Sequence, residues 1–263
     1  MIKIITCYIP QISGEVKLCG YDVVEDSLEL RKKVGYLPET NPLYPDMYIR
    51  EYLEYVGGLQ GIRKGLKERV EDMIQMTGLG SEAHKKIGAL SKGYKQRVGL
   101  AQAMIHSPEI LILDEPTSGL DPNQLVEIRA LIKTLGKEKT VVLSTHIMQE
   151  VEAMCDRVII IDKGNIVADG PTHQLDDMAG NHKLLHIEFD KQPPLRDIAS
   201  LPGVIEVIDK GNYCFHVICD AKGDLRPEIF HFAVNHQLAV LSMNYVEQSL
   251  EDVFRKLTTQ KKG

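Results

Sequence analysis

Short apolar runs alternate with helical patterns over the first two thirds of the chain. The clearest strand-like runs are Ile110 to Leu113, Thr140 to Ser144 and Val158 to Ile161, and they are rich in β-branched residues, which favour strands. Between the first two runs, apolar residues recur every three or four positions from Leu125 to Leu135, which predicts a helix. This alternation indicates an α/β fold around a mostly parallel sheet.

Polar residues and spacing place several further elements. Asp121 can cap the helix that follows the first run, and Pro122 suits its first turn. Residues 41–80 carry tyrosines and then apolar residues at helical spacing, which predicts a helical insert. Residues 157–170 predict a β-hairpin that turns at residues 163–165.

A second, smaller domain is predicted in the last third of the chain. Residues 173–183 are predicted to be a linker between domains at 1–172 and 184–263. The second domain shows strand, helix, strand, strand, helix and strand patterns in turn: Leu185 to Phe189, Leu195 to Leu201, Val204 to Ile208, Tyr213 to Cys219, Pro227 to Asn235 and Leu238 to Met243. This order predicts a small α+β, ferredoxin-like domain, followed by a last helix from Ser249 to Leu257.

Composition and charge narrow the classes of function. The 263 residues carry a net charge of −6, which argues against a dominant basic surface for nucleic acid. The five cysteines are scattered and lack C-x-x-C spacing, which indicates reduced, cytosolic thiols. No stretch approaches the roughly 20 apolar residues of a membrane-spanning helix, so we expect any membrane role to require a partner.

The strongest chemical signal is an acidic pair at the end of an apolar run. Asp114 and Glu115 directly follow Ile110 to Leu113. At the carboxyl end of a sheet strand, Asp114 can hold a magnesium ion while Glu115 polarises a water for attack on a phosphoryl group. The alternative interpretation is a strand followed by a solvated acidic turn, since the motif is short.

Three other segments bear on phosphate chemistry. Ser91 and Gly93 stand at the mouth of a helix predicted to run to Ile105, where free N–H groups and the helix dipole suit an anion. Taken alone, such a serine is more often a helix cap. Downstream, Ser118-Gly119-Leu120-Asp121 follows the acidic pair and Ser144-Thr145-His146 ends the next strand, where a lone histidine is usually structural.

Together these segments resemble the ABC-family ATPases, from about Met1 to Pro171. Signature helix, Walker B strand, D-loop and switch histidine follow in that family's order and spacing. The resemblance implies a P-loop NTPase-like core, a helical subdomain at about 41–106, the cofactors ATP and Mg²⁺, and head-to-tail dimers with two composite sites. It also implies residue roles: Asp114 and Glu39 as metal ligands, Glu115 and His146 as catalytic residues, and Ser91, Gly93, Tyr94 and Asp121 as nucleotide-binding residues at the dimer interface.

Two segments depart from the commoner family pattern. Glu39 stands where the family commonly has a glutamine that reaches the metal and the attacking water, although a carboxylate can also bind magnesium. Lys92 and Tyr94 replace the second glycine and the glutamine of L-S-G-G-Q. The resulting L-S-K-G-Y form, with Tyr36-Leu37-Pro38-Glu39, resembles gliding-motility-associated ATP-binding subunits of bacteria and related multidrug or export subunits.

The phosphate-binding loop of the family is absent from the sequence. No G-x-x-x-x-G-K-S/T occurs, although the N–H groups and lysine of that loop enclose the β- and γ-phosphates. Residues 1–6 resemble the helix that follows the loop, so an ABC ATPase core incomplete at its N-terminus is expected. A misassigned start codon or a fragmentary gene would explain this, and a naturally degenerate subunit is the rival explanation. We expect poor solubility and no ATPase activity in isolation.

Three classes of function follow from these observations. The leading one is the ATP-binding subunit of a transporter, a cytoplasmic dimer held on the inner face of the membrane by a separate integral-membrane permease. Its variant is a degenerate or regulatory subunit that completes a partner's ATP site in trans. ABC ATPases that act on ribosomes or DNA would show tandem cassettes or long heptads, and neither is visible. The third class is a binding or packing module formed by the C-terminal domain.

Overall fold

The computed structural model describes residues 1–172, 182–220 and 223–246. Contacts between Cα atoms divide the chain into two compact units, Met1–Glu150 and Val151–Gly263. Residues 173–181 of the predicted linker and the predicted helix from Ser249 to Leu257 lie outside the described residues. The predicted domain boundaries at 172 and 184 stay predictions.

The first unit contains short helices and strands that alternate along the chain. In order they are α1 (Ile2–Ile5), β1 (Lys17–Leu18), β2 (Tyr21–Asp22), α2 (Ser27–Lys33), β3 (Val34–Leu37), α3 (Ile49–Leu59), α4 (Leu66–Met76), α5 (Lys92–Met104), β4 (Ile110–Asp114), α6 (Pro122–Gly136) and β5 (Thr140–Ser144), with α7 (Met148–Met154) beginning at the end of this unit. Helices α3 and α4 lie in the segment for which the sequence predicted a helical insert.

The core of this unit is a three-stranded parallel sheet in the order β3-β4-β5. The central strand β4 is apolar and buried at Leu111, Ile112 and Leu113, as expected for a strand with neighbours on both edges. Strand β5 forms one edge of the sheet, and Val142 in it is 39% exposed. The register pairs Asp114 with Ser144, so both strands end at the same edge of the sheet.

Helix α5 packs closely on β3 because two positions lack side chains. A Cβ atom at Gly35 would collide with the carbonyl oxygen of Ala103 on α5, and one at Gly99 would collide with Asn41 and Leu37. Asn41 also donates a hydrogen bond from Nδ2 to the carbonyl oxygen of Lys95 (2.8 Å). This close approach fixes α5, and therefore its N-terminal mouth, relative to the sheet.

The second unit contains a hairpin and a four-stranded antiparallel sheet. Its elements are β6 (Arg157–Asp162), β7 (Asn165–Pro171), β8 (His182–Phe189), α8 (Leu195–Ala199), β9 (Val204–Gly211), β10 (Cys214–Asp220), α9 (Arg226–Asn235) and β11 (Val240–Val246). Strands β6 and β7 pair through a turn at Lys163 and Gly164, both with positive φ, which confirms the predicted hairpin. The four-stranded sheet has the order β11-β8-β10-β9.

A closed apolar core stabilises the four-stranded sheet. Leu185, Ile187 and Phe189 of β8 point to the same side as Phe215 and Val217 of β10, and all five are buried. Strand β11 begins two residues later than the sequence predicted and extends to Val246. The N–H of Leu238 instead donates to the carbonyl oxygen of Ala233 (2.8 Å) at the end of α9, and pairing with β8 starts at Val240.

No helix in the described ranges combines the length and the apolarity needed to cross a bilayer.

Candidate functional site

The parallel sheet brings the acidic pair and Ser144 together at the carboxyl ends of its strands. Asp114 is the last residue of β4, and the hydroxyl of Ser144, the last residue of β5, donates a hydrogen bond to its Oδ1. Tyr36 on β3 lies near Asp114. The pKa of the Tyr36 hydroxyl is raised, mainly by burial and then by the charge of Asp114. All three strands therefore contribute a polar side chain to this edge.

Glu115 is held in a backbone conformation that is uncommon for its residue type. Its φ is +47°, in the left-handed region that costs a non-glycine residue about 1–3 kcal/mol. Its N–H donates to the carbonyl oxygen and to Oγ of Ser144, both at 3.2 Å, and these bonds hold the turn. Oε2 of Glu115 is buried and has no hydrogen-bond partner among the residues described, so it can accept a hydrogen bond from a ligand or water.

His146 pairs with the other carboxylate oxygen of Glu115. Its Nδ1 donates to Oε1 at 2.9 Å, with the histidine side chain 76% exposed and the glutamate 18% exposed. The hydrogen bond and charge of Glu115 raise the pKa of His146, and the charges of Glu150 and Glu39 act in the same direction. Glu39 lies in the exposed turn after β3, so its charge acts on the same edge of the sheet.

A second group of predicted residues surrounds the mouth of α5. Ser91 caps the helix, and its Oγ accepts hydrogen bonds from the N–H of Tyr94 (3.4 Å) and from Nε2 of Gln124 (3.3 Å). Gly93 is buried, and a Cβ atom there would collide with the side chain of Gln124. The ring of Tyr94 lies 5.8 Å from the guanidinium of Arg97, which is a cation–π distance. A larger residue at position 93 would therefore displace the end of the Gln124 side chain.

Asp121 confirms the predicted cap of α6. Its Oδ1 accepts hydrogen bonds from the N–H groups of Asn123 (3.1 Å) and Gln124 (3.0 Å). Because Gln124 also reaches Ser91, the N-terminal ends of α5 and α6 lie next to each other. Within the described ranges, no hydrogen bond or ion pair links this group to Asp114, Glu115 or His146. The predicted site residues thus form two separate groups on the first unit.

Sequence reasoning missed three residues that shape these two groups. Ser144 was named only as part of a strand end, yet the parallel register sets it opposite Asp114. Tyr36 and Gln124 carry no local signal, because their roles depend on contacts between elements far apart in sequence. Only the strand-end position of Tyr36, one residue before Leu37, could have suggested its place.

The donor set at the acidic edge suits a magnesium ion and a water molecule. Asp114 and Glu39 carry carboxylate oxygens, the type of ligand that magnesium prefers, and the open Oε2 of Glu115 suits a water. Across the described part of the chain, no three His, Cys, Asp or Glu side chains are grouped to hold an ion by themselves. Magnesium commonly completes its shell with waters and phosphate oxygens. No residues of the given sequence form the loop that would enclose the phosphates.

Comparisons with known proteins identify the class. The family model "ABC transporter" matches residues 1–118. The chain is 30% identical over 262 residues to the linearmycin resistance ATP-binding protein LnrL of Bacillus subtilis, covering 98% of this chain and 84% of that protein. It is 33% identical over 261 residues to the bacitracin transport ATP-binding protein BcrA of Bacillus licheniformis, covering 97% and 83%.

A solved structure agrees with these sequence comparisons. The dimeric ATP-binding cassette MJ0796, in a post-hydrolysis state bound to ADP and phosphate, matches with a TM-score of 0.58 and 28% identity over 65% of this chain and 78% of that one. The chain belongs to the family of ABC transporter ATP-binding proteins. Its first unit has the ABC ATPase fold, a fold whose family members bind and hydrolyse ATP.

Proposed function

We propose that this chain is the ATP-binding subunit that drives a separate integral-membrane permease. One observation carries the proposal. At the end of the central parallel strand, Glu115 is bonded to His146 through one carboxylate oxygen and keeps the other buried and open, next to Asp114. A carboxylate placed in this way can polarise a water for attack on a phosphoryl group.

The residues at this edge divide the chemistry among them. Asp114 and Glu39 would hold Mg²⁺, which supplies positive charge to neutralise developing charge on the phosphoryl oxygens. Glu115 accepts a hydrogen bond from the attacking water through Oε2. His146 holds the orientation of Glu115, and its raised pKa favours the imidazolium, which suits an anionic phosphate. The residues of the given sequence do not include the loop that would enclose the phosphates.

Ser91, Gly93, Tyr94 and Asp121 serve the opposite protomer of a head-to-tail dimer. They form a group of their own, without a hydrogen bond or ion pair to the acidic edge within the described ranges, and Ser91 and Asp121 are exposed. Such an arrangement suits a site whose two halves come from two chains. The dimeric state of MJ0796 supports the assembly, and either a homodimer or a heterodimer satisfies it.

The permease partner is supported by the surface of the helical segment. A cleft of about 250 Å³ lies where α3 and α5 face β3, α2 and the end of α1, and its lining includes Arg31, Val56 and Gln102. Large apolar side chains are exposed on the same segment, among them Tyr44, Tyr48, Tyr55 and Leu59. We propose that a cytoplasmic helix of the permease binds there, which would hold the subunit on the inner face of the membrane.

Finer assignments within the family are proposals of the same kind. The names of LnrL and BcrA refer to linearmycin resistance and bacitracin transport, which supports the export-type branch. Gliding motility is the narrower proposal made from the L-S-K-G-Y form. For the second unit, the β-α-β-β-α-β order supports a ferredoxin-like accessory domain at 184–263 that acts in packing.

A degenerate or regulatory subunit is the second candidate function. At the mouth of α5, Ser91 caps the helix and accepts a hydrogen bond from Gln124, and Gly93 packs against Gln124. The given sequence, in contrast, has no phosphate-binding loop. Such a chain could complete the site of an intact partner in trans while holding no ATP of its own.

A chimera tests the proposed function. The strand and phosphate-binding loop of MJ0796 are placed before Met1, and phosphate release from Mg-ATP is measured for the chimera and the unmodified chain. We expect release from the chimera only, with a loss of about 10²–10⁴-fold on Glu115→Gln, the usual contribution of a catalytic acid or base. Release that survives Glu115→Gln would refute the assignment of Glu115. Steady phosphate release by the unmodified chain would refute the expectation that it is inactive alone.

A further inference from the structure

A fully buried carboxylate bonds to the loop that carries His146. Glu150, in the first turn of α7, has 0% side-chain exposure. Its Oε2 accepts a hydrogen bond from the hydroxyl of Thr145 at 2.8 Å. The same hydroxyl oxygen accepts one from the N–H of Ile147 at 3.1 Å. One hydroxyl, anchored to a buried acceptor, therefore ties together the residues on both sides of His146.

Arg129 supplies the charge that allows Glu150 to be buried. Its Nη2 lies 3.6 Å from Oε1 of Glu150, and the arginine side chain is 25% exposed. A buried carboxylate needs such a cation, because an unpaired charge is costly in the interior. Oε1 of Glu150 and Nε of Arg129 have no hydrogen-bond partner within residues 1–172, 182–220 and 223–246, so this contact is an ion pair without a direct hydrogen bond.

The anchor matters because His146 has little else to hold it. Its side chain is 76% exposed, and the hydrogen bond that it makes among the described residues is the one to Glu115. Fixing an exposed side chain in one rotamer costs conformational entropy. A rigid backbone beneath the ring lowers this entropy cost, because fewer orientations of the ring are accessible before it pairs with Glu115. Thr145 and Ile147 are the residues on either side of His146, so they determine how rigid its backbone is.

We propose that Thr145 and Glu150 are positioning residues that hold His146 against Glu115, with Arg129 keeping Glu150 in place. The inference rests on the proposed function, which gives His146 and Glu115 their chemistry. Arg129 lies on α6, the helix that Asp121 caps. The ion pair therefore also connects the loop of His146 to the helix that begins at the other group of site residues.

The imidazole nitrogen signals of His146 test the anchor without nucleotide. They are recorded by NMR at one pH on the full chain and on Thr145→Val and Thr145→Ser, which leave every charge in place. Glu115→Ala supplies the signal of a histidine without its carboxylate partner. We expect Thr145→Val to move the Nδ1 signal toward that reference and Thr145→Ser, which keeps the hydroxyl, to leave it at the wild-type position. A Thr145→Val signal at the wild-type position would overturn the proposal.

The part played by Glu150 is tested by combining variants. Glu150→Gln is measured alone and together with Thr145→Val, and thermal unfolding confirms that each variant is folded. If Glu150 acts through Thr145, the two shifts are less than additive; additive shifts would overturn its role. The readout needs no ATP, so it is separable from the proposed function: failure of the chimera to release phosphate would refute that function and leave the positioning result standing.

Discussion

The two sheets of this chain differ in where their strands end. In the first unit, three parallel strands run the same way, so Tyr36, Asp114 and Ser144 meet at one edge of the sheet. In the second unit, β8 and β10 run in opposite directions, and their carboxyl ends lie at opposite edges. In the parallel sheet, polar side chains at the strand ends therefore converge at one edge. The antiparallel sheet is instead stabilised by an apolar core of Phe189, Phe215 and their neighbours.

This contrast assigns different physical roles to the two sheets. The parallel sheet ends in a strained Glu115, whose Oε2 is buried and has no hydrogen-bond partner among the described residues. Both features lower its stability. The antiparallel sheet shows neither feature at its core positions. Variants that separate packing from chemistry therefore sharpen the comparison.

Phe215→Ala should give the largest loss of stability. Phe215 is fully buried and lies 6.2 Å from Phe189, centroid to centroid, and removing such a ring usually costs about 3–5 kcal/mol. Urea unfolding followed by the amide signals of β8 to β11 measures it. Phe230→Ala is the matched control, since Phe230 is 56% exposed, and it should change the free energy of unfolding by no more than about 0.5 kcal/mol. Equal losses from the two variants would contradict the core described here.

Gly35→Ala tests the close packing of α5 on β3 in the parallel sheet. The added methyl group would meet the carbonyl oxygen of Ala103, which belongs to the backbone and cannot rotate away. We expect a loss of about 1–3 kcal/mol, as for other overpacked positions. Gly58→Ala, on the exposed face of α3 with nothing within 4 Å, should instead be neutral or stabilising. A harmless Gly35→Ala would mean that α5 does not approach β3 so closely.

Asp121→Ala should have a smaller effect through the cap of α6. The change removes two hydrogen bonds to backbone N–H groups, and losing such a cap costs about 1 kcal/mol. Asp121→Asn retains an acceptor and should recover most of the stability. If both variants lose the same amount, the charge of Asp121 matters more than its capping bond.

The smallest effect concerns pH. Glu115 raises the pKa of His146, whereas burial lowers the pKa of His106. The stability from the His146 pair is thus full below its unfolded pKa of about 6.5 and is lost as pH rises through its folded value. His106 has the opposite effect on stability. Because its pKa is lower in the folded chain, the free energy of unfolding decreases as pH falls below about 6.5. NMR titration should show Glu115→Gln lowering the pKa of His146 and leaving His106 unchanged; a His146 that titrates at or below its ordinary value would contradict the pairing.

Local patterns predicted the elements better than the contacts between them. Strand β5 has the bounds that the sequence predicted, and Asp121 caps α6 as expected, because periodicity and capping are local properties. The turn between β9 and β10 shifted the start of β10 to Cys214, since Asn212 and Tyr213 both adopt positive φ. No local sequence pattern predicts positive φ at these two residues.

The roles assigned to the site residues stay predictions, but the sequence did indicate which strand ends meet at the acidic edge. Asp114, Glu115 and His146 were selected from strand ends, and parallel pairing does bring them together. The contact of Gln124 with Ser91 and Gly93 depends on how α5 and α6 pack, and the buried pair of Arg129 and Glu150 joins residues 21 positions apart. Such contacts become visible only in the folded chain.

Complementation between two inactive proteins tests the central claim, that the acidic edge and the mouth of α5 serve one composite site from two chains. One protein is the chimera that carries the MJ0796 loop and, in addition, Ser91→Arg. The other is the chain without the added loop, carrying Glu115→Gln. We predict no phosphate release from either alone and clear release from the mixture, since the second protein supplies Ser91 to the acidic edge and loop of the first. A mixture that releases no more phosphate than its two components alone would contradict the account.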